Sequence, residues 1–219
     1  MDEAEVTDVI KAIKNAWKAC SNDYQKFKIY GEHCLQSALY YHLRKNLPKN
    51  HTILTEAYVV LPEGNSRGKS HNRVDIIICK SQNQESRPEI ALVGIELKFT
   101  PKGEPKKASI QKDFSSLSYI RNNRDKNDRI KILFKRHSTQ YKADPIELKI
   151  HTHAKVFFGI FCKKEGKKLE SDSIFWSHYR PNDGYWENRQ KKLPKKLGIL
   201  VTKASRENTV DLVFWGAAS

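Results

Sequence analysis

Three side chains at strand spacing carry the chemistry this chain could do. Asp75 lies in R-V-D-I-I-I-C-K, and Glu96 and Lys98 lie in V-G-I-E-L-K-F. Alternate side chains of a strand share a face. Glu96 and Lys98 therefore project one way, and Ile95, Leu97 and Phe99 the other. If the two segments pair, Asp75 joins them at one end of a small sheet. Two carboxylates and an ammonium brought together there suit a metal-dependent hydrolytic centre, because a hard cation is held by carboxylates and can activate water.

The flanking segments must position these groups. Residues 5–20 read as an amphipathic N-terminal helix, with Val6, Ile10, Ile13 and Trp17 at three- and four-residue spacing. Ser21-Asn22-Asp23 punctuates the chain and can cap a second helix over 24–46. The stripe of that helix runs Phe27, Gly31, Leu35, Leu39, Leu43. Glu32 and Gln36 border the stripe, and a carboxylate there needs a partner. Residues 52–61 read as a strand carrying Glu56. A polar, Gly-containing loop follows, then strands Val74–Cys79 and Ile90–Phe99. Residues 106–122 read as a helix with Ile110, Phe114, Leu117 and Ile120 or Tyr119 inward and Gln111 and Asp113 in its early turns. Ile130, Ile132 and Phe134 alternate as in a strand, residues 146–150 alternate again, and Val156–Cys162 reads as a buried strand. Residues 171–197 are irregular. Leu197–Lys203 and Thr209–Trp215 read as a terminal hairpin.

The chain has 219 residues and 38% hydrophobic content, which suits one domain with a real core. Forty basic against 25 acidic residues give a net charge of +15, spread over several segments. A folded domain this basic meets a polyanion, nucleic acid by default. No basic segment has the clean apolar face of a membrane-surface helix, and no run has the length to span a bilayer. The acidic N-terminus has no signal pattern. The four scattered cysteines form no C-x-x-C pair, which points to a reducing, cytoplasmic setting. His151 and His153 would share a strand face, with no further ligand evident. Gly64–Ser70 ends in Gly-Lys-Ser, but its first Gly is too close for a phosphate loop and no helix pattern follows.

The order is helix with Glu32, strand, strand with Asp75, strand with Glu96-x-Lys98, helix. In G-E-H-C-L-Q-S-A-L, R-V-D-I-I-I, I-E-L-K-F and I-Q-K-D-F-S-S-L, over about residues 24–122, it resembles the PD-(D/E)XK nuclease superfamily. No proline precedes Asp75, where the name-giving motif has one. The resemblance implies an α/β, restriction-endonuclease-like core over about 24–163, with a mixed central β-sheet flanked by helices. The N-terminal helix and a C-terminal β-hairpin extension over 164–219 complete one nuclease-like domain, 1–219. It further implies Mg²⁺-dependent hydrolysis of phosphodiester bonds, with Mn²⁺ able to substitute. Asp75 and Glu96 would be the metal ligands, with the Leu97 carbonyl and Glu32 as further ligands. Lys98 would orient the attacking water, and Gln36, Gln111, Asp113 and Glu56 would support the site.

Beside this motif, Arg67, Lys69, Arg73, Lys102, Lys106 and Lys107 flank the centre in sequence and could contact phosphates. DNA is the expected partner, and a homodimer is compatible. Trp176, Tyr185 and Trp186 could stack on bases or form a subdomain core. A second E-x-K, Glu147 and Lys149 in P-I-E-L-K-I, has Asp144 only three residues before its Glu and a strand after it. Context therefore selects Glu96. The alternatives are a nucleic-acid-binding module with a vestigial site and a basic protein-interaction module.

Overall fold

The computed structural model describes residues 3–60, 71–81, 86–103, 113, 116–117, 119–120, 129–133, 145–162 and 197–203. Helix α1 spans Glu3–Gln25 and α2 Glu32–Asn46. The strands are β1 His51–Val60, β2 His71–Lys80, β3 Ile90–Thr100, β4 Arg129–Leu133, β5 Ile146–Cys162 and β6 Leu197–Lys203. Among the described residues, no helix is long and apolar enough to cross a membrane.

The helix boundaries correct the sequence reading. Ser21-Asn22-Asp23 lies inside α1 instead of capping α2. Packing overrides the local signal: Cys20, Ser21 and Tyr24 continue the buried stripe of Trp17. The Ser21 hydroxyl donates to the Trp17 carbonyl at 3.1 Å and hydrogen-bonds Thr202 at 2.8 Å. The chain then leaves the helix at Phe27, whose φ is 61°. Gly31, with extended backbone, precedes α2. Phe27 is therefore off the α2 stripe and 70% exposed. The stripe proper is Leu35, Leu39 and Leu43, all buried.

The strands form one mixed sheet. β1–β2, β2–β3, β1–β4 and β4–β5 pair antiparallel, and β3–β5 and β5–β6 pair parallel. Five of these pairings close a circuit, β1-β2-β3-β5-β4 and back to β1. β5 runs on where two separate runs were expected, because β3 pairs with both, at Lys149 and Ile150 and again at Lys155–Cys162 after a register shift. Its other edge is shared, with β4 against Ile146–Lys149 and β6 against Val156–Cys162. β6 thus belongs to the central sheet. Thr209–Trp215, its expected hairpin partner, lies outside the described residues, as do residues 163–196.

Two apolar layers sandwich the sheet. On one face, α1 and α2 pack against Ile53, Ile76, Ile78, Ile95, Leu97, Phe157 and Phe161. On the other, Leu117 and Ile120, in helical conformation, pack against Ile77, Val156, Phe158 and Ile160. Glycine lets both layers approach closely. A Cβ on Gly159 would stand 2.8 Å from the Trp17 ring, and one on Gly94 would stand 2.9 Å from Ile120 Cδ1.

One irregular rung of the sheet, between β1 and β2, shapes the surroundings of Asp75. Leu54 pairs with Ile77 and Ala57 with Val74. All four lie in the same core cluster although each strand's two members are three residues apart. A strict pleat would send them to opposite faces. The slip occurs at Glu56, whose φ is 54°, directly across from Asp75, where the β1–β2 register skips a pair. The hairpin bends there, and its far half turns over the core to meet β4 at Tyr58 and Val59.

Candidate active site

The same bend frees the edge of β3. β2 pairs with β3 only as far as Ile76↔Ile95, so the next backbone donors on that edge lose their ladder partners. Carboxylates take them. Asp75 Oδ2 accepts from Leu97 N–H at 2.7 Å, and Glu32 Oε2 accepts from Phe99 N–H at 3.3 Å. N–H and C=O of one strand residue point the same way, so the Leu97 carbonyl faces the Asp75 side. Gln36 Nε2 donates to the Asp75 backbone carbonyl at 2.8 Å and ties α2 to the bend.

Carrying the register one residue past Ile76↔Ile95 sets Asp75 opposite Glu96, so that each carboxyl group affects the other's protonation. Glu96 and Lys98 share the face on which Gly94 meets Ile120. Asp113, four and seven residues before Leu117 and Ile120, closes over them from that side. Lys98 Nζ lies 2.9 Å from Asp113 Oδ2 and 3.7 Å from Glu32 Oε1. The Asp113 contact is an ion pair without hydrogen-bond alignment. Asp75, Glu96 and Asp113 are all buried.

Three buried acids around one ammonium are short of positive charge. Burial, then repulsion from Asp75 and Asp113, pushes the Glu96 carboxyl well above the ordinary range, with Lys98 pulling back. Burial also raises Asp75, against the Leu97 N–H and Lys98. Asp113 is pushed up to about 6, burial outweighing Lys98. Burial alone would lower the Lys98 ammonium, but Asp113, Glu32 and Asp75 outweigh it and hold it above its usual value.

Glu96 Oε1 has no hydrogen-bond partner among the described residues, although Glu96 is only 3% exposed. A buried carboxylate oxygen without a donor is costly, and a divalent cation beside it would relieve both that deficit and the crowding of charge. Among the described residues, no three His, Cys, Asp or Glu side chains are already gathered as ligands of one ion. The donor set that fits is two carboxylates, Asp75 and Glu96, with the Leu97 carbonyl. That set suits Mg²⁺, which takes one or two carboxylates and keeps several waters.

The other sequence candidates fall in varied places. Glu56 is half-exposed and pairs with Arg73 at 2.8 Å. Arg73 is thus engaged at the bend, where burial is outweighed by Glu56, then Asp75, and its pKa rises. Lys102 is exposed in the turn after β3. Gln111, Arg67, Lys69, Lys106, Lys107, Trp176, Tyr185 and Trp186 lie outside the described residues. Glu147 of the second E-x-K is exposed on β5 and pairs with Lys131 at 3.4 Å and Arg129 at 3.8 Å. His151 Nδ1 accepts from His153 N–H at 3.1 Å, and the two rings lie 5.7 Å apart. The sequence reading gave Asp113 only a supporting part. The i, i+4, i+7 spacing to Leu117 and Ile120 was the available signal that it faces the sheet.

No family model matches the chain, and no curated protein does. Among solved structures, that of P. aeruginosa NucC in its cAAA-bound form is similar to it at 13% identity with a TM-score of 0.39. The likeness covers 75% of this chain and 66% of that one, so the chain spans just under two thirds of NucC. A TM-score of 0.39 transfers no activity from NucC to this chain.

Proposed function

We propose that this protein is a divalent-metal-dependent nuclease that hydrolyses phosphodiester bonds, DNA being the preferred substrate and Mg²⁺ the preferred ion. The observation that carries the reading is the buried set of Asp75, Glu96 and Asp113 around Lys98, with Glu96 Oε1 left unpartnered. Asp75, Glu96 and the Leu97 carbonyl would hold the ion, with Glu32 at the edge of its shell. When bound, the ion supplies Lewis-acid stabilisation and an acidified water.

The chain's own groups do the rest. Lys98 stays protonated at neutral pH, held so by Asp113 and Glu32. It therefore orients the attacking water and offsets charge developing on the phosphate, and does not abstract a proton. Asp113 positions the Lys98 ammonium by its 2.9 Å contact. Gln36 and the Glu56–Arg73 pair hold the bend that sets Asp75 against β3. The net charge of +15 supports a polyanionic substrate.

A second reading has its own support. Asp75 and Glu32 also serve as caps for the free β3 edge, which would suffice in a nucleic-acid-binding module that cuts nothing. One panel separates the two. Linear, supercoiled, single-stranded and branched DNA, and RNA, are incubated with the protein in Mg²⁺ or Mn²⁺. The nuclease reading expects cutting of at least one substrate, abolished by Asp75→Asn, Glu96→Gln and Lys98→Ala with low-salt binding retained. Glu147→Gln should cut normally. Intact substrates throughout, or cutting by Glu96→Gln with loss in Glu147→Gln, would overturn it.

A further inference from the structure

His51 and Lys80 face each other at the end of the β1–β2 pair away from the bend. At strand spacing Lys80 is about 17 Å along β2 from Asp75, so this place is separate from the proposed active site. The first turns of α1 reach it, and one carboxylate fastens them there. Lys80 Nζ stands 2.7 Å from Glu5 Oε1 and donates to Glu5 Oε2 at 2.9 Å.

His51 is the other neighbour of that carboxylate. Its Nε2 lies 3.7 Å from Glu5 Oε1 and has no hydrogen-bond partner among the described residues, although His51 is only 3% exposed. The other polar groups of His51 are engaged. Its N–H donates to Pro48 O at 3.0 Å, its carbonyl accepts from Arg44 Nη1 at 2.9 Å, and Nδ1 meets Asn50 Oδ1 at 3.0 Å. An amide oxygen only accepts, so the neutral ring carries its proton on Nδ1. Nε2 is then a bare lone pair buried beside a carboxylate oxygen, an acceptor facing an acceptor. Leaving it so is costly. One proton on Nε2 would turn the same contact into a charge-assisted hydrogen bond.

The surroundings hold that proton off at neutral pH. Burial lowers the His51 pKa, and Lys80 adds to this, against Glu5 and the Pro48 bond. Among the described residues, the other charged or titratable groups here come from three elements. Asp8 on α1 and Lys80 on β2 line one cavity of about 500 Å³ together with Glu5 and His51. Arg44 of α2 is at the His51 carbonyl. On β5 the buried His151 responds to Glu5 and Lys80 too, and burial, then His153, lowers its pKa. Asp8 therefore offers the Lys80 ammonium a second carboxylate across the cavity.

We infer that Glu5, His51 and Lys80 form a proton-operated latch for the start of α1. With His51 neutral, Lys80 holds Glu5 and ties α1 to β2. With His51 protonated, the imidazolium takes Glu5 Oε1 and ties α1 to β1, and Lys80 turns to Asp8. The proton comes from solvent and stays on Nε2, and no other group changes its charge. The helix remains fastened in both states, by a different strand in each.

Nuclear magnetic resonance of the ¹⁵N-labelled full chain tests this, from about pH 4 to 8, a span that brackets the histidine range. At pH 7.5 the His51 ring should be the Nδ1–H tautomer, and its midpoint should lie below the ordinary 6.5. Lys80→Met should raise the midpoint, and Glu5→Gln should lower it further. The Lys80 ammonium nitrogen should shift with the His51 midpoint in the native chain and stay still in His51→Gln, which also assigns the ring signal. Exchange protection of the Val9 and Ile10 amides should be the same on both sides of the midpoint. Melting temperature at pH 8 checks that each variant folds, and the tautomer and the native titration need no variant.

An Nε2–H tautomer at pH 7.5 would mean that His51 already donates to Glu5, and would overturn the latch. A Lys80 signal that ignores the His51 midpoint would do the same, leaving a buried histidine with no exchange of partners. So would a fall of about tenfold or more in Val9 and Ile10 protection below the midpoint, the loss of a hydrogen bond to a charged group, since α1 would then open instead of changing its anchor.

Discussion

Asp113→Asn is the sharpest probe of the buried acids. The Asp113 carboxyl moves from 3.8 to about 6 on folding, roughly two pH units at about 1.4 kcal/mol each, or about 3 kcal/mol. The direction follows from which state holds the proton. Between pH 3.8 and about 6 the folded chain keeps a proton that the unfolded chain has lost. The stability this contributes is complete below the lower value and is lost as pH rises through the upper one. Asparagine mimics the protonated acid and has nothing to lose. Native and variant should therefore be nearly equal near pH 4, and the variant should be more stable by about 3 kcal/mol at pH 7.5. For a chain of this size that is about 6–12 °C in melting temperature. The lost attraction to Lys98 is already contained in the net shift. Comparing two chains also cancels titrating groups remote from Asp113, among them His51 and His151, which burial lowers; the Glu96 carboxyl, which Asp113 helps to raise, does not cancel. The assay is urea unfolding in EDTA at several pH values from 4 to 8. A gap that stays flat with pH, or a variant less stable at pH 7.5, would refute the view that these acids are crowded. It would leave a plain structural ion pair with Lys98.

Four further outcomes are expected. Saturating Mg²⁺ at about a hundred times its dissociation constant should stabilise the native chain by about 2.7 kcal/mol, read as a rise in melting temperature that EDTA reverses and that Glu96→Gln lacks. Gly159→Ala should destabilise the fold by about 1–3 kcal/mol, since its Cβ would meet the Trp17 ring and Leu97. Gly94→Ala should cost less in the same denaturation assay, because the contact is the flexible tip of Ile120. Affinity for DNA should fall steeply between 50 and 200 mM salt, with a log–log slope of several units, as counterions released by the basic surface imply; a flat profile would argue against phosphate contacts.

The grouping of the candidate residues was legible because strand geometry is local. Period-two alternation alone puts Glu96 and Lys98 on one face and Leu97 on the other, and the apolar neighbours of Asp75 mark a buried strand. The spacing of Leu35, Leu39 and Leu43 likewise fixes the inward face of α2 and leaves Glu32 at its border. Other features depend on partners distant in the chain. The helix-stop signal at Ser21-Asn22-Asp23 yields because Tyr24 still has a core to fill and Ser21 finds Thr202. The two runs of β5 merge because β3 pairs along both of them.

The two I-E-L-K copies show the boundary between the two kinds of information. Their local patterns are nearly the same, so the choice between them came from context, Asp75 one strand earlier and a helix after. Burial is a property of the closed sheet. Glu96 lies under Asp113, and Glu147 lies in solvent among Arg129 and Lys131. The sequence determined which residue types could do the chemistry and which face each would take, because pleat and helix period act over a few residues. Only the tertiary structure decided that β1 and β2 bend together at Glu56 and Asp75, that the bend strips β3 of its ladder partner, and that Asp75 and Glu32 step in. That outcome depends on how the sheet closes on itself, and sheet closure is set by pairings between strands far apart in the chain.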